Sequence, residues 1–503
     1  MLDVTTLYSQ IDRLGQTVPS KPALICDSEQ LSYGELRARV AAVAAGLGAR
    51  GLKYGERVCV ETNEPIDHIV GCIGAMAAGL VAVPVPNNSA SSYAEIVADC
   101  QPKMILASGM SQTDQPLDIS IPRLGIRGLC SEVVPAESLS RTSEPEEIAM
   151  IYYTSGTTSG VRKGVLQSYR ALAVTASYIV DVMKLTTEAR EFVASSHDNA
   201  FWFGRVRVLL GLGATAVVHK GTLNPFKMVS AILRLDCNGL SGDTSIYLVL
   251  LRHMRERLHE IAPKLKWVKI ASQAMPLEDK KLMADLFPEA RIIMGYGLTE
   301  AMRCTLLIFG EPWEKLESVG LPRGNTRIRV VDADGKEVSA GSQGEIQAAG
   351  DNLATGYLNK DDLWRERFSG GWYRTGDLGY VDADGFLYFS GRIDEAVNIG
   401  GQTVSPIEVE ERLAQVMQGQ SYAVCGLPDP AGVMGDVLVL CVEGLWDEEL
   451  SWCDFRVGLF EELPPRLVPA EAYVVDILPR TSNGKIQRTE LRRVIEKGAA
   501  KKL

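Results

Sequence analysis

Seven short apolar runs constrain this chain more than any other feature. They are RVCVET (57–62), VAVPVP (81–86), PKMILAS (102–108), IAMIYYTS (148–155), TAVVHKG (215–221), WVKIAS (267–272) and RIIMGYG (291–297). Segments of helix length separate them. The best defined, LSYGELRARVAAVAAGLGARG (31–51), carries apolar residues at helical spacing and a glycine after its last turn. Strands alternating with helices need crossover connections, so the fold is α/β with layered, mostly parallel sheets. After about residue 320 the texture changes. TRIRVVDADGKEVSAGSQGEIQAAG (326–350) and GYVDADGFLYFSGRID (379–394) place Asp-Gly turns between alternating residues, which predicts β-hairpins in a small barrel-like subdomain. Further on, SPIEVEERLAQV (405–416) reads as a helix with Ser405 as cap and Pro406 at its first position. SYAVCGLP, VLVLCVEG and AYVVDILP read as strands.

With 503 residues the chain is expected to hold about three structural units. The expected division is an N-terminal domain over 1–391, built of two α/β subdomains and the small β unit. A hinge follows at 392–394, then a small mobile α+β domain over 395–503. The net charge of −11 argues against broad binding to nucleic acid or anionic membranes. The ten cysteines form no CxxC and no cluster with the five histidines, so they read as reduced thiols in a cytoplasmic protein. The start MLDVTTLYSQIDRLGQ is no secretory signal. The run IVGCIGAMAAGLVAVPVP is Gly-rich and ends in prolines, so it reads as a buried helix and strand rather than a membrane span.

The stretch TSGTTSGVRKG (154–164) follows one of the predicted strands. Its glycines and hydroxyls let backbone amides curl around an anion, and Arg162 and Lys163 add charge. It is not a Walker A loop. Gly156 is followed five residues later by Val161 rather than Gly, and Lys163 by Gly164 rather than Ser or Thr. On its residues alone it is either a phosphate loop or a plain surface turn.

Companion motifs decide between these. YYTSGTTSGVRKGV (152–165), GYGLTEA (295–301), GEIQAAG (344–350), YRTGDLGYVDADGFLYFSGRIDE (373–395), NIGGQTVSPIEVE (398–410) and PRTSNGKIQR (479–488) occur in this order. Together they resemble the adenylate-forming superfamily, which includes acyl-CoA synthetases, adenylation domains of nonribosomal peptide synthetases and firefly-type luciferases. The resemblance implies that Thr154, Ser155, Gly156, Thr157, Thr158 and Lys163 hold the ATP phosphates. It places Ser272, Gln273, Ala274, Gly295, Tyr296, Gly297 and Thr299 around the nucleotide, with Tyr296 on adenine and Thr299 at the α-phosphate. Glu300 is implied as the Mg²⁺ ligand, Asp377 as the acid on the ribose hydroxyls, and Arg392 as a second ribose or phosphate contact. Asp394 is implied as the hinge. Lys485 is implied as the lysine of the adenylation step, and Gly400 and Gly401 as backbone beside the pantetheine arm. The loop departs from the family pattern by an inserted Ser159 and by Arg162 where Pro is usual.

The implied activity has two steps. A carboxylate attacks ATP to give acyl-AMP and pyrophosphate, and a thiol then takes the acyl group as a thioester. The acceptor is CoA or a phosphopantetheinyl carrier protein; GGQTVSPIEVE looks more like acyl-CoA ligases, and no carrier-protein motif follows PRTSNGKIQR. A nucleotide-binding protein without turnover is the alternative from another class, and retention of Lys485, Glu300 and Asp377 argues against it. The acid's pocket is expected from His197, Asp198, Trp202, Phe203, Gly204, Met302 and Arg303. Asp198 either caps the following helix or meets a substrate ammonium. Trp202 and Phe203 either line the site or belong to the core. Arg303 is expected to pair with a surface acid in preference to a second substrate carboxylate.

Overall fold

The computed structural model describes residues 7–85, 90–108, 121–131, 143–154, 162–195, 197, 200–221, 224–271, 273–399, 402–414, 416–417, 420–431, 433–446, 450–481 and 484–503. Two large sheets carry the first 320 residues. The first has nine strands in the spatial order Leu321–Pro322, Thr305–Ile308, Arg291–Tyr296, Trp267–Ala271, Gly239–Asp243, Arg190–Ala194, Thr215–Val218, Pro22–Cys26 and Glu29–Ser32. Its six middle strands, from Arg291–Tyr296 to Pro22–Cys26, run parallel. The second has seven strands, with Ile148–Thr154, Val81–Pro84, Arg57–Glu61, Met104–Ala107 and Arg123–Gly125 parallel. Lys163–Ser168 and Gly356–Tyr357 close one side of it antiparallel.

Helices Tyr33–Gly48, Pro65–Ala77, Tyr169–Met183 and Ala200–Leu212 contribute to one core together with strand residues of both sheets, such as Val60, Ala149, Val193 and Ala216. Pro65–Ala77 is buried along its whole length, as its apolar sequence requires. Ser32 opens Tyr33–Gly48 with a capping box shared with Glu35. A second core covers the other face of the nine-stranded sheet with helices Pro225–Arg234, Thr244–His253 and Leu277–Leu286. Among the described residues no helix is long and apolar enough to cross a membrane.

The Asp-Gly hairpins form as expected. Trp372–Val381 pairs antiparallel with Leu387–Arg392 across the Asp382–Gly385 turn, and Arg327–Val331 with Gly344–Ala349, all within a five-stranded sheet. Beyond residue 397, two further cores draw only on the C-terminal strands and helices. Pro406–Leu413 begins with Pro at its first position, but the Ser405 hydroxyl accepts no helix amide. It is buried without a partner among the described residues and packs directly over Gly391. The cap is therefore positional only, because close packing on Gly391 turns the hydroxyl away from the helix.

Arg488 ties these C-terminal elements together. It is buried, donates to Glu395 at 2.9 Å and to both oxygens of Glu410 at 2.7 Å, and gives its Nε–H to the Val424 carbonyl at 3.0 Å. Removing the cation leaves two partly buried carboxylates side by side. Arg488→Met is expected to lower unfolding stability by about 2–3 kcal/mol, discounted from a fully buried pair because both glutamates keep some solvent. Chemical denaturation measures it, and a loss below about 0.5 kcal/mol would show the triad to be peripheral.

Candidate active site

Parallel strands deliver their C-terminal loops to one edge of a sheet, where ligands of α/β folds bind. Here the segments after Ala194, Asp243, Ala271 and Tyr296 leave the nine-stranded sheet on that edge. The turn after Tyr296 is the tightest. Leu298 and Ala301 exchange backbone hydrogen bonds at 2.9 and 3.3 Å. A Cβ on Gly297 would come within 2.5 Å of the Arg303 amide nitrogen, so only glycine allows this turn.

The turn bridges to the second sheet. Gln167 Nε2 donates to the Thr299 carbonyl at 2.5 Å, and the Ala354 amide to the Glu300 carbonyl at 2.8 Å. Tyr357 donates its phenol to Glu300 Oε1 at 2.8 Å and lies 2.9 Å from the Tyr373 hydroxyl. Lys163 sits over the Tyr357 ring, 5.5 Å from its centre. Burial holds the Lys163 pKa below its ordinary value, while Glu300 pulls it the other way. Glu300 Oε2 has no partner among the described residues, which also contain no group of three or more metal-ligating side chains. One carboxylate with a free oxygen fits a magnesium ion, which is commonly held by one or two carboxylates and completed by phosphates and water.

Asp377 lies on the antiparallel sheet and is 1% exposed. It accepts from the Tyr296 hydroxyl at 2.7 Å and from Arg392 Nη1 at 3.1 Å. Arg392 also bonds both oxygens of Asp394, at 3.2 and 3.3 Å. Burial raises the Asp377 pKa to about 6, against the pull of Arg392, Tyr296 and Lys485. The expected nucleotide aromatic and the expected ribose acid are thus in direct contact. Lys485 belongs to a turn closed by Thr481 N–H to the Lys485 carbonyl and Gly484 N–H to the Thr481 carbonyl, each 2.8 Å. Gly484, at φ +78°, faces Ser245 and the Gln273 side-chain amide, so this C-terminal turn lies against the loop after Ala271.

Arg367 and Tyr357 escaped the sequence reading here. Arg367 and Arg392 flank the α-carbon of Gly376, which stands at φ +73°. Arg367 also acts electrostatically on Lys163 and Tyr357, which places it beside Glu300. A lone arginine at the end of a short helix carries no signal of its own. Tyr357 closes a two-residue strand, and its contact with Glu300 spans 57 positions.

On the acid's side, His197 lies 3.2 Å from the Thr62 carbonyl. Trp202 and Phe203 are fully buried in the large core and pack edge-on to His68 at ring separations of 5.8 and 6.2 Å. Both side chains belong to the large hydrophobic core. His68 is itself buried with both ring nitrogens unpartnered among the described residues, and burial pushes its pKa down to about 3. Met302 is stitched to Asn352 by backbone and side-chain bonds at 3.2 and 2.9 Å. Arg303 corrects an expectation. It meets no acid among the described residues; its half-buried guanidinium turns inward against Gly204, because the turn after Gly297 folds it back under the sheet edge. Ser155, Gly156, Thr157, Thr158, Asp198, Ser272, Gly400 and Gly401 lie outside the described residues.

An α/β chain with these groups at its strand ends has the layout of a nucleotide-binding enzyme. The sequence profile described as AMP-binding enzyme matches residues 11–358. The chain belongs to that family, within the adenylate-forming superfamily. It is 29% identical to tyrocidine synthase 3 of Brevibacillus parabrevis over 95% of its own length, but spans only 8% of that protein. Sulfoacetate–CoA ligase of Cupriavidus necator is 30% identical, with 94% of each chain covered. The fold matches o-succinylbenzoate CoA synthetase of Bacillus subtilis, solved with ATP and magnesium, at a TM-score of 0.85 and 22% identity over 97% of this chain and 99% of that one.

Proposed function

We propose that this protein joins a carboxylic acid to a thiol in two steps, through acyl-AMP, at the expense of ATP. One observation carries the reading: Glu300, Lys163, Asp377 and the Lys485 turn, from four separate stretches of chain, converge on the same strand edge. The acid's oxygen attacks the α-phosphorus, the bond to pyrophosphate breaks, and pyrophosphate leaves. Asp377 accepts hydrogen bonds from both ribose hydroxyls. Lys163, with the loop over 154–158, holds the β- and γ-phosphates. Glu300 would hold a magnesium ion, which would supply charge neutralisation on the phosphate oxygens. Lys485 offsets the charge that develops on the acid and the α-phosphate in the transition state. A thiol then attacks the acyl carbon, and AMP departs. The 392–394 segment serves as the hinge that exchanges Lys485 for the thiol's entry path, past Gly400 and Gly401.

CoA is the acceptor favoured here, in line with the full-length match to a CoA ligase; the match to a peptide synthetase keeps a carrier protein as the second reading. ATP–pyrophosphate exchange over a panel of amino, aryl, fatty and short polyanionic acids tests the first step. Exchange with at least one acid is expected, and none would leave a binding protein. Adding CoA or a phosphopantetheinylated carrier to the active acid then separates the acceptors. Thioester formation with CoA at a rate at least about ten times that with the carrier is expected.

A further inference from the structure

Cationic side chains collect around helix Ala200–Leu212. Arg205 and Arg207, on helix Ala200–Leu212, are both buried, and so is Lys269. Arg205 is neutralised: it donates to both oxygens of buried Glu191, which also accepts from Trp267 Nε1 at 2.9 Å. Lys269 donates to the Ile270 carbonyl at 2.8 Å, and burial, with Arg205 and Arg303 nearby, holds its pKa well below the ordinary lysine value. Two guanidinium groups have no acid partner among the described residues. Arg207 gives one Nη1–H to the Leu172 carbonyl at 3.0 Å, and its buried Nε has no partner among the described residues. Arg303 has no hydrogen bond or ion pair to any described residue, and an added Cβ on Gly204 would lie 3.1 Å from its Nη2. Gly204 and Arg207 are three positions apart and share a helix face. The buried Tyr152 phenol acts electrostatically on both arginines. Arg303 also stands at φ +52°, a strained conformation for a residue with a side chain.

Two guanidiniums without an acid partner among the described residues, Arg207 buried and Arg303 half-buried, are costly unless an anion joins them. Lys163, Arg367 and Arg392 form a separate set of cations around Glu300 and Gly376, where the adenylation reading puts the nucleotide. We infer, resting on the adenylation reading above, that the acid activated here carries a second anionic group, a carboxylate or sulfonate, which Arg303 and Arg207 bind beside Gly204. The substrate class is a short dianionic acid, with one carboxylate presented to ATP and the other group anchored on the arginines.

The test uses the whole enzyme and matched pairs of acids: butyrate and succinate, valerate and glutarate, acetate and sulfoacetate. ATP–pyrophosphate exchange is expected to favour the dianion of at least one pair by about 50-fold or more in kcat/KM, since a site built for an anion is left unpaired by its absence. The succinate and sulfoacetate arms distinguish a carboxylate from a sulfonate. Arg303→Met is expected to bring that ratio to within about threefold of unity, and Arg303→Lys to restore part of it. A purely structural arginine would lower both acids together and leave the ratio intact, which overturns the inference. So would a parallel rise in KM for ATP with both acids, which would make Arg303 a nucleotide contact. Equal exchange with mono- and dianions overturns the inference while adenylation stands; no exchange with any acid removes both. Folding is checked by thermal melting of the ligand-free protein. Arg303→Met is expected to raise the melting temperature by removing a half-buried charge with no acid partner among the described residues, and a fall would count against the site.

Discussion

Lys485→Ala is expected to cut ATP–pyrophosphate exchange by between about 10² and 10³, while thioester formation from supplied acyl-AMP continues at close to the wild-type rate. The two half-reactions place different demands on this residue. In adenylation, negative charge concentrates as carboxylate and α-phosphate meet, and a positioned cation in a dry site contributes a few kcal/mol to that transition state alone. In thiol attack the departing AMP needs no new cation. The Lys485 turn packs with Gly484 against Ser245 and Gln273, and the ammonium is near enough to Asp377 to lower that acid's pKa. The turn's backbone bonds, from Thr481 and Gly484, do not involve the ammonium, so removing it leaves the turn's frame intact. Single-turnover assays of each half-reaction measure the effect. If adenylation survives at more than about a tenth of the wild-type rate, the stabilisation lost is under about 1.4 kcal/mol and the assigned role fails.

How far the sequence anticipated this arrangement depends on the distance over which each contact acts. Strand–helix alternation and Asp-Gly hairpins are local, and the parallel sheets and the Asp382–Gly385 turn follow directly. Motif resemblance reached Glu300, Asp377 and Lys485 because each sits in a quotable stretch. What surrounds them was not legible. Tyr357 reaches Glu300, and Arg367 reaches Gly376, across folds of the chain that no spacing encodes. Arg303 shows the same limit. Read locally, a cation after LTEAM suggests the surface, but Gly297 lets the chain double back and Gly204, about a hundred positions away, leaves room for the guanidinium. Ser405 shows the reverse error. A local capping rule applied correctly loses to tertiary packing on Gly391.

Asp377→Asn is expected to raise KM for ATP by about 100-fold, and to change how ATP binding responds to pH. A carboxylate can accept from both ribose hydroxyls at once; an amide offers one acceptor oxygen and turns donors toward the other hydroxyl. Each hydrogen bond to a charged group contributes about 1.5–3 kcal/mol, so losing part of this pair accounts for the factor. Asp377 is already held by Tyr296 and Arg392, which orient its two oxygens before the nucleotide arrives. That cradle also sets the pH response. Burial raises the pKa to about 6, so the acid is charged above that value and takes a proton as pH falls through it. The proton occupies one oxygen, weakens the bond from Arg392, and removes an acceptor from the ribose. KM for ATP is therefore expected to stay flat from pH 8 to 7 and to rise as pH drops below about 6. In Asp377→Asn the same range should be flat, since the titrating group is gone. A wild-type profile without the rise, or a variant that keeps it, would assign the titration to another group and leave Asp377 a structural anchor for Arg392.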